Sequence, residues 1–439
     1  MSSESAQFVA QVIWPNAPLT KSLVHNALLH IKPSFQIAPS APSSTPQKTL
    51  LWSSYDEIDH ELANTRRDII MSSSYTFRKC LIRKHFLSRC ISSFLTKTPE
   101  SLLKDAWPRT YEIEISFADE LDEIFADELW ELGKELRDTQ KWWILKPGMA
   151  DRGNGIRLFN DRATLEEIFE EFEDNDDDGN DEADEGITTS VATSQLRHFV
   201  IQEYLTRPLL IDPSEIPLNN ASKPDREDLR GHKFHLRAYC VASGALTLYL
   251  YARVLALFSA TPYEEPGSHN GTIDLSCHLT NTCLQVNDHG QEGVRLLDEL
   301  EGCHVLSEPG DIIFTEDDIS ELKNQMRTVL AETFNAALRD PVNFQPLPNA
   351  FELFGVDFLV THTMKTDQKW QVNLLEVNAE PAIEMTGPRL RWILKDLFIT
   401  MGKACVEPFF LKMSKEDSWA VGEVRYNFLK CLERKVRGD

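Results

Sequence analysis

Three oxygen-bearing side chains interrupt two otherwise apolar runs. Asp357 sits in Phe354-Gly-Val-Asp-Phe-Leu-Val360, and Glu376 and Asn378 sit in Gln371-Val-Asn-Leu-Leu-Glu-Val-Asn-Ala-Glu-Pro381. Both runs are rich in β-branched and aromatic residues and Thr361 to Lys369 between them is polar, which predicts an antiparallel hairpin. Opposed positions in such a pair have a constant sum, so Asp357 opposite Glu376 centres the turn on Thr366-Asp367. The strand period of two then puts Asn378 on the face of Glu376. Val372 and Leu374 are expected to share that face and Leu375 and Val377 to fill the other, so that the strand is buried on both sides. Two carboxylates and an amide converging on a buried face cost several kcal/mol unless a cation sits between them. The cation that suits hard oxygen donors, and that is commonly shared with a substrate phosphate, is Mg²⁺. The alternative is an edge strand whose acids face water; apolar neighbours on both sides favour the metal.

Upstream residues supply the opposite charge. Trp142-Trp-Ile-Leu-Lys146-Pro reads as a short buried strand ending in lysine, followed by Gly148-Met-Ala-Asp-Arg152-Gly153-Asn-Gly155-Ile156. A lysine strand followed by a glycine-rich loop is an arrangement that covers phosphates: glycine allows close backbone approach, and lysine and arginine supply charge. The P-loop spacing GxxxxGK[ST] is absent. Phe199-Val-Ile-Gln202-Glu203-Tyr204-Leu205 is a strand whose polar end could read an adenine ring or simply be core. In Lys233-Phe-His235-Leu-Arg237 alternation places three potential cations on one face, which calls for an anion or solvent opposite. His278-Leu-Thr280-Asn281-Thr adds a compact polar cluster.

The elements that must position these residues follow from the rest of the chain. Its 439 residues allow two or three domains, and a net charge of −24 speaks against direct nucleic-acid binding, which needs a basic face. No run of roughly 18 apolar residues and no signal-like start is present, so no membrane association is expected and the reading is cytoplasmic. Eight cysteines without a CxxC pair predict reduced thiols. Strands are expected at Gln7 to Pro15 and Thr49 to Trp52, with a loop at Pro39 to Pro46 between them and a second polar loop at Pro213 to Arg230. Helices are expected at Ser72 to Leu95, with Arg78, Lys79, Arg83, Lys84 and Arg89 on the polar face, and at Phe117 to Asp138. Asp317 to Arg339, Arg389 to Met413 and Val424 to Val436 also read as helices. Glu173 to Glu185 carries nine acids and no base, which predicts a disordered insertion over 173–187.

The order of these parts resembles the ATP-grasp enzymes, and more closely the tubulin–tyrosine ligase family. Trp143-Ile-Leu-Lys146, Arg152-Gly-Asn-Gly-Ile156, Val200-Ile-Gln-Glu-Tyr-Leu205, His278-Leu-Thr-Asn281, Phe351-Glu-Leu-Phe-Gly-Val-Asp357 and Leu375-Glu-Val-Asn378 carry the resemblance, which covers Ser72 to Pro381. It implies an α/β fold of the α+β kind: a small α/β domain over 1–71, a central family domain over 72–140, an antiparallel-sheet ATP-grasp domain with flanking helices over 141–413, and a C-terminal helix over 414–439. It further implies ATP and Mg²⁺ as cofactors. Lys146, Arg152 and Lys79 would contact phosphates, Gln202, Glu203, Tyr204 and Leu205 would bracket adenine, and Lys233, His235, Thr280 and Asn281 would complete the nucleotide site. Asp357, Glu376 and Asn378 would bind the metal, and Arg237, Lys146 and Glu376 would carry the chemistry, the ligation of an amino acid to a protein carboxylate through an acyl phosphate. Tubulin is the acceptor the family suggests.

Two positions depart from the family pattern. His235 stands where the family reads Lys-Phe-Asp-x-Arg, and Leu257 stands where a ligase carries a second arginine, with Arg253 out of register. These departures resemble the fungal, P-body-associated branch, linked to mRNA-decapping factors. The alternatives are therefore a ligase, an ATP-binding protein or pseudoenzyme acting as a partner of decapping factors, and a small-molecule phosphotransferase.

Overall fold

The computed structural model describes residues 8–39, 47–148, 155–177, 197–218, 222–267, 273–280, 293–363, 365–366, 368–411 and 419–435. The chain opens on a small α/β unit. Strand β1 (Phe8–Gln11) leads into helix α1 (Pro18–His30), whose Pro18 occupies the first helical turn, where no backbone donor is needed. Strands β2 (Phe35–Ala38), β3 (Lys48–Leu51) and β4 (Ile70–Ser72) complete an all-parallel sheet of order β2-β1-β3-β4.

Two further sheets follow. In the smaller, Thr110–Glu114, His198–Glu203, Trp143–Pro147 and Arg157–Phe159 lie side by side in that order, all antiparallel. In the larger, the 12-residue strand His232–Ser243 pairs with Thr247–Tyr251, Leu255–Phe258 and Phe351–His362, and the last of these pairs with Trp370–Ala379. The helices Glu316–Ala337 and Lys84–Lys97 close one face of this sheet over a core that includes Leu330, Phe334, Phe354, Phe358 and Leu374. The other face meets α1 and the helix Arg391–Met401 around Trp52, Tyr251 and Phe351. No helix among the described residues is long and apolar enough to cross a membrane.

Several local expectations change. Val424 to Val436 contains no described helix; Val424–Arg425 and Phe428–Glu433 form a hairpin on Thr247–Tyr251. Tyr426 and Asn427 at φ +50 and +61 make the two-residue turn that such a hairpin needs, and the open sheet edge outcompetes a helix of mixed charge. The segment Ser72 to Leu95 is not one helix. Phe77–Arg78 pairs with Phe344–Gln345 and the backbone N–H of Tyr75 donates to buried Glu352, so helix begins only at Lys79–Ile82 and restarts at Lys84–Lys97. Phe117 to Asp138 divides into Leu121–Ala126 and Trp130–Asp138, and both pieces turn apolar residues onto one core with Phe125, Leu129 and Leu132. Arg391–Met401 continues through a π-turn at Gly402–Val406 into Glu407–Leu411. The acidic run is helical at its start, because Arg162–Asp177 is anchored by Leu165, Ile168, Phe169 and Phe172; residues 178–187 lie outside the described residues, as do 40–46 of the Pro/Ser-rich loop.

Candidate functional site

The hairpin supplies the floor of the site. Asp357 pairs with Glu376 and Gly355 with Asn378, but the next pair is Phe358 with Leu374, so Leu375 is an extra residue. A bulge of this kind turns two successive side chains to one side. Leu375 and Glu376 both line the cleft, while Val372, Leu374 and Val377 pack into the core behind it. The expected sharing of one face by Glu376, Leu374 and Val372 is therefore overturned, and the bulge is the reason.

The three oxygen-bearing residues are drawn together. The Asn378 amide Nδ2 donates to Glu376 Oε1 at 3.0 Å and to Asp357 Oδ2 at 3.3 Å. Arg237 pairs directly with Asp357 across the strands and grips its carboxylate with two nitrogens, Nη2 at 2.8 Å from Oδ2 and Nε on the other oxygen. Lys84 Nζ lies 3.2 Å from Glu376 Oε2. Burial alone would raise the Glu376 carboxyl, but Lys84, the Asn378 amide, Lys146 and Arg237 outweigh it and hold the group well below the usual carboxylate range.

The roof and walls come from both antiparallel sheets. Lys146 Nζ donates to Gln202 Oε1 at 2.7 Å, and Gln202 is held in turn by Thr110 Oγ1 at 3.1 Å. Lys233 Nζ donates to the Tyr204 hydroxyl at 3.0 Å and lies 4.4 Å from the centre of that ring. The hydroxyl is 2.9 Å from His278 Nδ1. Burial brings Lys146 down to about 8; burial, reinforced by Lys146, brings Lys233 down to about 7. His278 falls to about 4 by burial and by the nearby Lys233. His235 is buried, bonded through Nδ1 to Thr280 Oγ1, with Nε2 3.6 Å from Asp357 Oδ1 and without a hydrogen-bond partner. Burial lowers its pKa despite Asp357, so the ring is neutral near pH 7.

These groups surround a cleft of about 730 Å³. Its lining mixes apolar side chains, Ile144, Ile156, Leu205, Leu279, Leu359 and Leu375, with Lys146 beside Gln202, Lys233 beside Tyr204, and the Asp357 and Glu376 carboxylates. Glu203 is tied to Lys141 at 3.2 Å. Apolar side chains can pack a flat ring, and the lysines can meet a polyanion. Lys84, Lys146 and Arg237 set three cations against two carboxylates in a chain of net charge −24. The donor set of Asp357, Glu376 and Asn378 also suits a hard divalent cation, which would share the carboxylates with Arg237 and Lys84.

Lys79 is exposed and outside the described lining of the cleft; Lys84, five residues on and part of the same basic patch, is the residue of that segment that reaches Glu376. Sequence reasoning missed this choice, as it missed the Tyr204–His278 contact. Arg152 and Asn281 lie outside the described residues. Leu257, opposite His235, is buried in an apolar cluster with Leu255, Val294 and Leu296.

This pair of antiparallel sheets around a cationic cleft is an ATP-grasp architecture. The chain belongs to the Tubulin-tyrosine ligase family, whose sequence profile matches residues 63–412. It is 36% identical to the Saccharomyces cerevisiae probable tubulin–tyrosine ligase PBY1 over 99% of this chain and 56% of that protein. It is 32% identical to the Schizosaccharomyces pombe probable tubulin–tyrosine ligase C12B10.04 over 85% of this chain and 87% of that one. Among solved structures it is similar to the C-terminal domain of K. lactis Pby1, described as an ATP-grasp enzyme interacting with the mRNA decapping enzyme Dcp2. That match has a TM-score of 0.66 and 31% identity, covering 97% of this chain and 100% of that one. The chain thus spans little more than half the length of the budding-yeast relative.

Proposed function

We propose that this chain is an ATP- and Mg²⁺-dependent carboxylate–amine ligase that joins an amino acid to a protein carboxylate through an acyl phosphate. The observation that carries the reading is the cleft lined by Lys146, Lys233, Asp357 and Glu376, whose two carboxylates are paired with Lys84 and Arg237 and joined by the Asn378 amide. Lys146, held by Gln202, sits where phosphates would need charge, and Arg152 and Lys79 are proposed beside it by family resemblance. By family resemblance Gln202, Glu203, Tyr204 and Leu205 are proposed to bracket adenine, with Lys233, His235, Thr280 and Asn281 around it. Mg²⁺ held by Asp357, Glu376 and Asn378 would neutralise charge on the transferring phosphoryl group. Arg237 holds the Asp357 carboxylate in place through two of its nitrogens, and the cleft walls would exclude water from a reactive acyl group.

A second reading has a specific observation behind it. The neutral His235 ring and the apolar seat of Leu257 remove two polar positions a ligase of this family would use. Together with the Dcp2 interaction of the K. lactis relative, they support an ATP-binding partner of decapping factors. Isothermal titration of the chain with ATP should show binding that EDTA weakens, and absence of nucleotide binding overturns the ligase reading. Amino-acid-dependent ATP turnover with a peptide acceptor separates the two readings, since only the ligase gives it.

Lys146 makes the binding pH-dependent. Lowered to about 8, it must be protonated to meet phosphate, so affinity should fall as pH rises from 7 to 9. A bound polyanion raises its pKa again, so binding at pH 8 should take up protons. Titrations at pH 8 in two buffers of different ionisation enthalpy measure that uptake; none would mean that Lys146 does not meet the phosphates.

A further inference from the structure

His235 lines the cleft and is only 3% exposed, yet its Nε2 has no hydrogen-bond partner among the described residues. A buried ring nitrogen left unpaired costs free energy that native proteins seldom leave uncompensated, and a bound ion is one of the groups that takes up such an atom. The nearest charged group is Asp357, whose Oδ1 lies 3.6 Å away, too far for a hydrogen bond.

Strand pairing brings the two together. Arg237 lies opposite Asp357, and alternation puts His235 on the same face of the strand as Arg237. Arg237 holds both oxygens of the carboxylate, and the imidazole comes up to one of them. The other ring nitrogen is already committed, because Nδ1 and Thr280 Oγ1 are bonded. With the proton on Nδ1 donated to that hydroxyl oxygen, Nε2 presents a lone pair. A metal-bound imidazole has this arrangement: its second nitrogen makes a hydrogen bond that fixes both tautomer and ring orientation.

The spacing suits a shared ion. Two donors about 2.1 Å from one ion and at right angles stand about 3.0 Å apart, so a small rotation of either side chain closes the gap onto a common metal. Among the described residues no three His, Cys, Asp or Glu side chains converge into a complete metal site. An ion between His235 and Asp357 therefore needs further ligands, and nucleotide phosphates supply oxygens of the right kind. The imidazole changes which ion is preferred. Mg²⁺ takes oxygen ligands, whereas a nitrogen donor favours transition ions, and Mn²⁺ accepts carboxylate, phosphate and imidazole together.

The geometry points to His235 Nε2 as a further ligand of the nucleotide's metal ion beside Asp357, one that shifts the preference of the site from Mg²⁺ toward Mn²⁺. This rests on the nucleotide–metal site that both functional readings share. The intact chain and His235→Asp, which returns an oxygen donor to the position, are loaded with Mn²⁺–ATP and read by pulsed EPR. The concentrations of Mg²⁺ and of Mn²⁺ that half-saturate ATP binding are measured by calorimetry on both. The parent chain should show ¹⁴N modulation from a directly bound imidazole, and the variant should lack it. The ratio of the Mg²⁺ to the Mn²⁺ concentration should fall roughly tenfold in the variant, as loss of a metal-site partner commonly produces. Comparing ratios cancels the different affinities of the two ions for ATP itself. Parent chain grown with ¹⁵N-histidine makes the same test without a substitution, since the modulation must move to the ¹⁵N frequency. Absence of histidine coupling in the parent chain, or an unchanged ratio in a folded variant, overturns the inference. If ATP binds with metal but without that coupling, this inference fails and the nucleotide reading stands; if ATP binds with neither ion, both fail.

Discussion

Lys146→Met is expected to weaken Mg²⁺–ATP binding by roughly 30-fold to several thousand-fold while leaving the protein folded. Lys146 is buried at the end of its strand, and its side chain reaches Gln202 in the same small sheet. Methionine keeps the stem and removes the charge. Losing one partner of a buried, hydrogen-bonded charge interaction costs about 2–5 kcal/mol of binding, which sets that range. The fold should tolerate the change, because burial already disfavours the charged amine, as its lowering to about 8 shows, and Gln202 keeps its bond to Thr110. Titration calorimetry beside a thermal melt tests both halves. A loss below tenfold with an unchanged melt would remove Lys146 from the phosphate site.

Glu376→Gln should act in opposite directions with and without the metal. With Mg²⁺, loss of a carboxylate ligand should weaken ATP binding at least tenfold, about 1.4 kcal/mol. Without Mg²⁺, the same change frees Lys84 from its 3.2 Å ion pair and removes a negative charge felt by Lys146, so ATP alone should bind as well as or better than before. The ratio of affinities in Mg²⁺ and in EDTA therefore collapses. That ratio separates a metal ligand from a residue that merely shapes the pocket, whose loss would lower both affinities together. A ratio unchanged from the parent chain would sink the assignment of Glu376 to the metal. Asn378, which bonds both carboxylates, loses one strong acceptor in the variant, but the hairpin register is held by backbone pairs on both sides of the bulge.

Much of the site is legible from residue order because strand geometry is local. Alternation alone aligns Lys233, His235 and Arg237, and the expected pairing of Asp357 with Glu376 is the register observed, although the bulge at Leu375 shifts the sum of paired positions by one between that pair and the turn. The family membership and ATP-grasp fold were readable from the ordered motifs, and the long helix near 317–339 from its apolar period. Local rules failed where a distant partner competed. Phe428–Glu433 became a strand because Thr247–Tyr251 offered an open edge, and Arg78 was taken from a helix by Phe344 and Glu352.

By itself the sequence determined which side chains could form a cationic, carboxylate-lined nucleotide site and in what order along the chain, since those properties depend on residue type and on a two-residue repeat. Only the tertiary structure decided that Leu375 and Glu376 face the cleft together, that Lys84 rather than Lys79 reaches Glu376, and that His235 brings an unpartnered ring nitrogen up to Asp357. A bulge, a choice between two lysines on adjacent turns, and the meeting of two strands far apart in the chain are each set by contacts across the fold. Neighbouring residues carry no record of such contacts.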